Sequence, residues 1–200
     1  GSSNFRNEIP LPVQYKTNRT ETVRPIHLTA LKDYLIKYKG AKKVCGSESD
    51  DVVNHRIRTL NKQGVRCVLY SNDKDCMQNV DYNLLNFNPD KADIIVSKKG
   101  VGELIDRGKD VKGSGLKWLI LQVLLGDKID GFTPKQFFNK KYADKAFLKD
   151  FDSCKTEVEV LEKFVEVAKR LVPDSVRYTS FTGQLMELSR KELFEMYYFL

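Results

Sequence analysis

The chain is poor in the residues that build soft-metal, thiol or secretory chemistry: two histidines, four cysteines and one tryptophan among 200 residues. His27 and His55 stand apart, with no cysteine or second histidine close by in sequence, which argues against a zinc site. Cys45, Cys67, Cys76 and Cys154 are unevenly spaced and form no close pair. They read as free thiols in a reducing cytoplasm rather than a disulfide framework. Long apolar runs are also missing. The best stretch, residues 116–125, is interrupted by Lys117 and Gln122 and is too short to cross a bilayer, so no membrane partner is expected. The N-terminus has neither the basic nor the apolar region of a signal peptide. Without secretion, the sequon Asn18-Arg19-Thr20 carries no weight. The expected location is cytoplasmic.

What is present is charge, unevenly arranged. Thirty-four basic residues face 27 acidic ones, for a net charge of +7, within an ordinary globular balance of 41% apolar and 30% charged residues. The base is spread, which suits a phosphate-rich partner. The acid is concentrated in three clusters: Glu48-Ser49-Asp50-Asp51, Asp73-Lys74-Asp75 and Asp127-Lys128-Ile129-Asp130.

Periodicity places these clusters on a fold. Residues 1–25 are polar, contain Pro10, Pro12 and Pro25, and read as a loop or irregular arm. Apolar residues at helical spacing predict a helix over 28–38, stopped by Gly40. A short strand over 41–45, a helix over 49–60 and a strong strand over 65–70 follow. A short helix over 74–79 and strands over 82–87 and 93–96 complete an alternating series. The fold class is α/β, a sheet with helices on its faces. Beyond Gly100 the pattern turns helical, with segments at 116–125, after Pro134, and over 142–151 and 157–171, and a last helix from Arg190. In the helix over 157–171, Val158, Leu161, Phe164, Val165, Ala168 and Leu171 form an apolar stripe. The expected division is an α/β part over 1–112 and a helical part over 113–200.

In such a sheet, ligands gather beyond the carboxyl ends of the strands. The first cluster follows the 41–45 strand and the second follows the 65–70 strand, so parallel strands would bring both to one edge. Carboxylates alone suit magnesium or manganese, and two such ions can activate water and stabilise the leaving oxygen of a phosphodiester. A plainer reading stands beside this one: acids are favoured in first helical turns, and Ser49, Asp50 or Asp51 could cap or brace a helix. Close like charges repel by on the order of a kcal/mol per pair, which metal ions would relieve. The third cluster lacks EF-hand spacing and could be a plain connecting turn. Arg6, Lys16 and Arg19, interleaved with Phe5 and Tyr15, suit a phosphate backbone with a stacked base, or a solvated leader. Lys98, Lys99, Arg107, Lys109, Lys112 and Lys117 form a looser basic tract, a phosphate track or a solvated face.

Taken together, these motifs resemble the 5′-nuclease superfamily of flap endonucleases, polymerase-associated 5′ nucleases and bacteriophage 5′-to-3′ exonucleases. Glu48-Ser49-Asp50-Asp51 resembles the family's Glu-Ala-Asp-Asp signature. Ser71 to Asp75, followed by Met77-Gln78, resembles its second signature. Gly126-Asp127-Lys128-Ile129-Asp130 resembles the turn that opens its helical DNA-binding region, and Phe5-Arg6 with Tyr15-Lys16-Thr17-Asn18-Arg19 resembles its arch-side segment. The similarity spans roughly residues 1–135, and the short second half is most like that of the tailed-phage exonucleases. It implies a PIN-like sheet over 1–112 with an arch-like arm, and a helix-turn DNA-binding element within 113–200. It implies two ions, magnesium or manganese: Glu48, Asp50 and Asp51 around the nearer, Asp73 and Asp75 between them, and Asp127 and Asp130 on the farther side. Lys16, with Arg19 assisting, would orient or stabilise the attacked phosphate. The implied reaction is metal-dependent 5′-to-3′ exonuclease or flap-endonuclease hydrolysis of DNA at 5′ ends or flaps. Two departures accompany the resemblance. The family's first strand, with its metal-binding Asp, and a second Asp ahead of the arch-side segment have no counterpart, and no Gly-rich hairpin follows the third motif. A missing N-terminal segment or a second chain would complete the fold; otherwise the chain would be a non-catalytic DNA-binding or regulatory module.

Overall fold

The computed structural model describes residues 4–17, 23–127 and 133–200. It is a mixed α/β structure with one three-stranded sheet, two hairpins and six α-helices among those residues. Helix α1, Leu28–Lys39, ends where Gly40 turns left-handed (φ 71°) and returns its N–H to the Leu35 carbonyl. Helix α2, Ser49–Lys62, lies against the sheet of β1 (Leu69–Tyr70), β2 (Leu84–Asn88) and β3 (Asp93–Ser97). Ile57 of α2, Leu69, Cys76 and Leu84 form the small core between them.

The sheet differs from the expected parallel series. Strand β1 pairs parallel with β2, whereas β3 returns antiparallel through a tight turn. In that turn the Asn88 side chain accepts N–H bonds from Asp90 and Lys91. Residues 41–45 join no ladder among the described residues: Lys42 and Lys43 leave too little apolar side chain to bury, and the segment lies mostly exposed. The strand expected over 65–70 contracts to two residues, with Val65 and Val68 about half exposed. The short helix expected over 74–79 is a single 3₁₀ turn, Asp75–Met77.

A hairpin, β4 (Leu104–Asp106) with β5 (Val111–Gly113), leads into α3, Gly115–Leu125. The first amides of α3 are satisfied by backbone, Leu116 N–H to Gly100 O and Lys117 N–H to Val101 O. This close approach needs glycine: a Cβ on Gly102 would sit 1.7 Å from the Ser114 carbonyl oxygen. Helix α3 is buried almost all round and is the axis of the main core. Around it pack α4 (Asp144–Phe151), α5 (Glu157–Leu171) and α6 (Arg190–Tyr198).

The second half is not wholly helical. Strands β6 (Ser175–Thr179) and β7 (Leu185–Ser189) form a hairpin between α5 and α6. That hairpin grips the N-terminal arm: Tyr178 OH donates to the Pro10 carbonyl at 2.8 Å, and Phe181 N–H to the Leu11 carbonyl at 2.9 Å. Leu11 and Tyr15 are buried in the main core, so the arm is not a solvated leader. The apolar stripe expected on α5 is also rotated. Val160, Val167, Ala168 and Leu171 are buried, whereas Val158, Leu161 and Val165 stay about half exposed or more. Leu161, Phe164 and Val165 line a cleft of about 1440 Å³ between α2 on one side and α3, α5 and α6 on the other. No helix among the described residues is long and apolar enough to cross a membrane.

Candidate acidic site

The site begins at the α2 N-terminus. Glu48 occupies the cap position and Asp51 the third helical position, and Asp51 accepts the Glu48 N–H at 3.2 Å in a reciprocal capping box. The bracing role therefore falls to Asp51, with Glu48 as the cap in place of Ser49 or Asp50. Both acids also meet the basic arm. Lys16 Nζ lies 2.5 and 2.6 Å from the two Glu48 oxygens, and Tyr15 OH and Asn4 Nδ2 donate to the same carboxylate at 3.3 and 3.0 Å. Arg6 grips Asp51 through two parallel bonds of 2.7 and 2.9 Å and donates its Nε to the Leu200 carbonyl at 2.7 Å. Burial opposes charge on both partners. Even so, the Arg6 guanidinium holds the Asp51 carboxyl below its ordinary range, and Asp51 raises Arg6 in return. Lys16 has left-handed backbone (φ 57°) in the turn that aims its side chain at Glu48. The charges of Glu48 and Asp51 are thus compensated by side chains as folded.

The second cluster follows β1. Asp73 Oδ1 accepts the Asp75 N–H at 3.0 Å, and the Ser71 hydroxyl accepts the Asp73 N–H at 3.0 Å. Helix α3 brings the third cluster to it. Trp118 and Gln122, one turn apart on α3, face the same way. Trp118 Nε1 donates to the Lys74 carbonyl at 3.3 Å, and Gln122 Nε2 to Asp75 Oδ1 at 2.5 Å. Gln78 in turn donates to Gln122, and Lys74 pairs with the largely buried Asp127 just beyond the helix. Burial pushes the Asp75 carboxyl above its ordinary range. The Gln122 bond and the Lys74 charge oppose the rise, while Asp73 and Asp127 add to it.

Asp50, Asp73 and Asp75 all act electrostatically on Cys76, whose thiol is pushed up chiefly by burial; this brings Asp50 of the first cluster and both acids of the second near that residue. Asp127 joins the second cluster through Lys74, and Glu48, Asp51 and Lys16 join one another. Arg19 and Asp130 lie outside the described residues. The basic tract is altered at two points: Lys117 is buried with its Nζ on the Asp152 carbonyl at 2.9 Å, and Lys112 pairs with Asp110. Sequence reasoning missed Gln122, Trp118 and the pairing role of Lys74. Gln122 had a legible signal, because a lone amide in an apolar helix must find a polar partner.

Comparison with curated proteins yields a weak match. The chain is similar to a 5'-3' exonuclease of Aquifex aeolicus (strain VF5). The two are 25% identical over 193 residues, covering 90% of this chain and 62% of the relative. The chain thus spans less than two thirds of that protein's length. No family model matches, and no solved structure does. The similarity indicates a distant relation to a nuclease, and the mixed α/β structure with C-terminal helices is consistent with that type of architecture.

Carboxylate oxygens are the donors that hard divalent cations prefer. Asp73, Asp75 and Asp127 offer that chemistry, with Asp75 half enclosed and within electrostatic reach of the other two. Glu48 and Asp51 fit less well as they stand, since Lys16 and Arg6 already hold them. Among the described residues, no three acid, histidine or cysteine side chains converge as a ready-made metal cage.

Proposed function

We propose that the chain belongs to a metal-dependent 5′-to-3′ nuclease that hydrolyses DNA phosphodiesters at 5′ ends or flaps. What supports this reading is the proximity of Asp75 to Asp73 and Asp127, with Gln122 bound to Asp75 and Lys74 to Asp127, in a chain similar to a 5'-3' exonuclease. Asp73, Asp75 and Asp127, with Asp130, would hold magnesium or manganese, which supplies charge stabilisation and an activated water. Gln122 fixes the Asp75 carboxylate in place, and Lys74 holds Asp127. Asp50, which acts on the same Cys76 thiol as Asp73 and Asp75, would add negative charge to this group. Lys16, with Arg19, offers positive charge to the attacked phosphate when a DNA backbone competes with Glu48 for it. Positioning by backbone contact predicts cleavage that depends on ends rather than on base sequence.

The test is release of short products from a 5′-labelled duplex or flap in magnesium or manganese, by the wild type and by Asp73→Ala. The expected result is release by the wild type only. Absence of products at high protein and metal concentration would overturn catalysis by this polypeptide. The saturation of Glu48 and Asp51 by Lys16 and Arg6 favours a second reading, a DNA-binding module without turnover. It predicts binding that weakens steeply with salt and no products.

A further inference from the structure

Two apolar surfaces lack a partner among the described residues, and they are of complementary kinds. One face of the sheet carries Tyr70, Ile94 and Val96, exposed by 71%, 49% and 62%. Tyr70 stacks on Phe87, which registers with Ile94, and Val96 registers with Leu85, so the face runs across all three strands. The opposite face of the same sheet is sealed by the small core under α2. In an α/β layer structure, a helix ordinarily covers such a face. Helix α1 is the converse case. It buries none of its own residues, and Leu31, Tyr34 and Tyr38 stand 52%, 47% and 61% exposed. Their spacing of three and four puts them on one side.

We infer that this chain self-associates, α1 of one copy lying across the open sheet face of a second copy and the reverse contact forming about a two-fold axis. Dimensions agree: a 12-residue helix is about 18 Å long, and a five-residue strand about 17 Å. Charge agrees as well and sets the direction. Helix α1 has Lys32 and Asp33, which cancel, in its first half and Lys37 and Lys39 at its end. The sheet has exposed Asp90, Lys91 and Asp93 at the β2–β3 turn, one negative charge net, and exposed Lys98 and Lys99 past its other end. The carboxyl end of α1 therefore meets the acidic turn. The six apolar side chains leave roughly 100 Å² each to cover. The two symmetric contacts together bury roughly 1,200 Å², at the lower end of the range of a specific dimer. A two-fold arrangement satisfies both surfaces at once and leaves neither open for filament growth.

Sedimentation velocity over a concentration series, with circular dichroism as a check on folding, tests the inference without reference to nuclease activity. The expected result is a concentration-dependent dimer. Tyr34→Glu on the helix and Val96→Glu on the sheet, made separately, should each raise the dimer dissociation constant at least about tenfold. Lys37→Glu with Lys39→Glu should weaken the dimer, and adding Asp90→Lys with Asp93→Lys should restore it. A monomer at every concentration, or a dimer indifferent to both glutamate variants, would overturn the inference. A dimer sensitive to the glutamates but not rescued by the paired charge reversal would overturn the direction assigned to the helix. Dimerisation with no DNA cleavage would leave the inference standing while the nuclease reading failed.

Discussion

The acids at the α2 N-terminus and those beside α3 look alike in sequence, yet the fold treats them oppositely. Glu48 and Asp51 receive two full positive charges from an arm some thirty to forty-five residues away, together with a tyrosine and an asparagine donor. In the second group Lys74 pairs with Asp127 and the Gln122 amide donates to Asp75. Glu48 and Asp51 are balanced as folded, and the Arg6 guanidinium holds Asp51 charged. Asp75 is instead pushed toward its neutral form, chiefly by burial, with its acidic neighbours adding to the rise. Carboxylate density in a sequence therefore does not by itself mark an ion site; what decides is the environment that the rest of the chain delivers, countercharge at Asp51 and burial at Asp75.

That contrast can be broken experimentally. The largest effect is expected at Asp75→Asn, which should lower cleavage by about 10²-fold or more, as removal of a preorganised electrostatic partner does. It should also shrink the rise in melting temperature that manganese gives the wild type. A variant that cleaves normally would dissolve the distinction. Next comes Arg6→Ala, which acts on folding: a charge-assisted pair contributes about 1.5–3 kcal/mol. The value belongs at the lower end, because the Asp51 side chain is 37% exposed. Urea unfolding of Arg6→Ala, Asp51→Ala and the double variant would measure the coupling, and a coupling near zero would refute the balanced description of the first group. Gln122→Leu comes third, with cleavage reduced about tenfold, because the amide orients a candidate ligand and is not one itself. The smallest effect is expected at Thr156→Ala, whose bonds are with Glu159 of its own helix. It removes the α5 cap bond to Glu159 N–H and should cost about 1 kcal/mol without changing cleavage.

Much of the fold was legible in the sequence. Local signals placed α1 with its glycine stop, α2, α3, α5 and the start of α6, since each rests on periodicity and capping within one segment. Residues 41–45 misled because strand propensity there finds no pairing edge among the described residues, and Lys42 and Lys43 offer it little to bury. The β6–β7 hairpin escaped because its Thr-Gly turn lay in a region whose periodicity was otherwise helical. At the site, acid positions were readable but their partners were not. Arg6 to Asp51 and Gln122 to Asp75 each join segments more than 40 residues apart, and no local pattern encodes such a contact. The capping role of Glu48 and Asp51 was partly readable, from an acid three residues after a helix start.

The two bonds from the β6–β7 hairpin to Pro10 and Leu11 have a consequence in time. They fix the backbone between Arg6 and Lys16, and the burial of Leu11 and Tyr15 fixes it further. Arg6 and Lys16 are therefore presented to Asp51 and Glu48 by one anchored segment, so that a local loosening of the hairpin would reach both ion pairs together. The timing of the first group's pairing is thereby tied to the local stability of a hairpin from the other end of the chain.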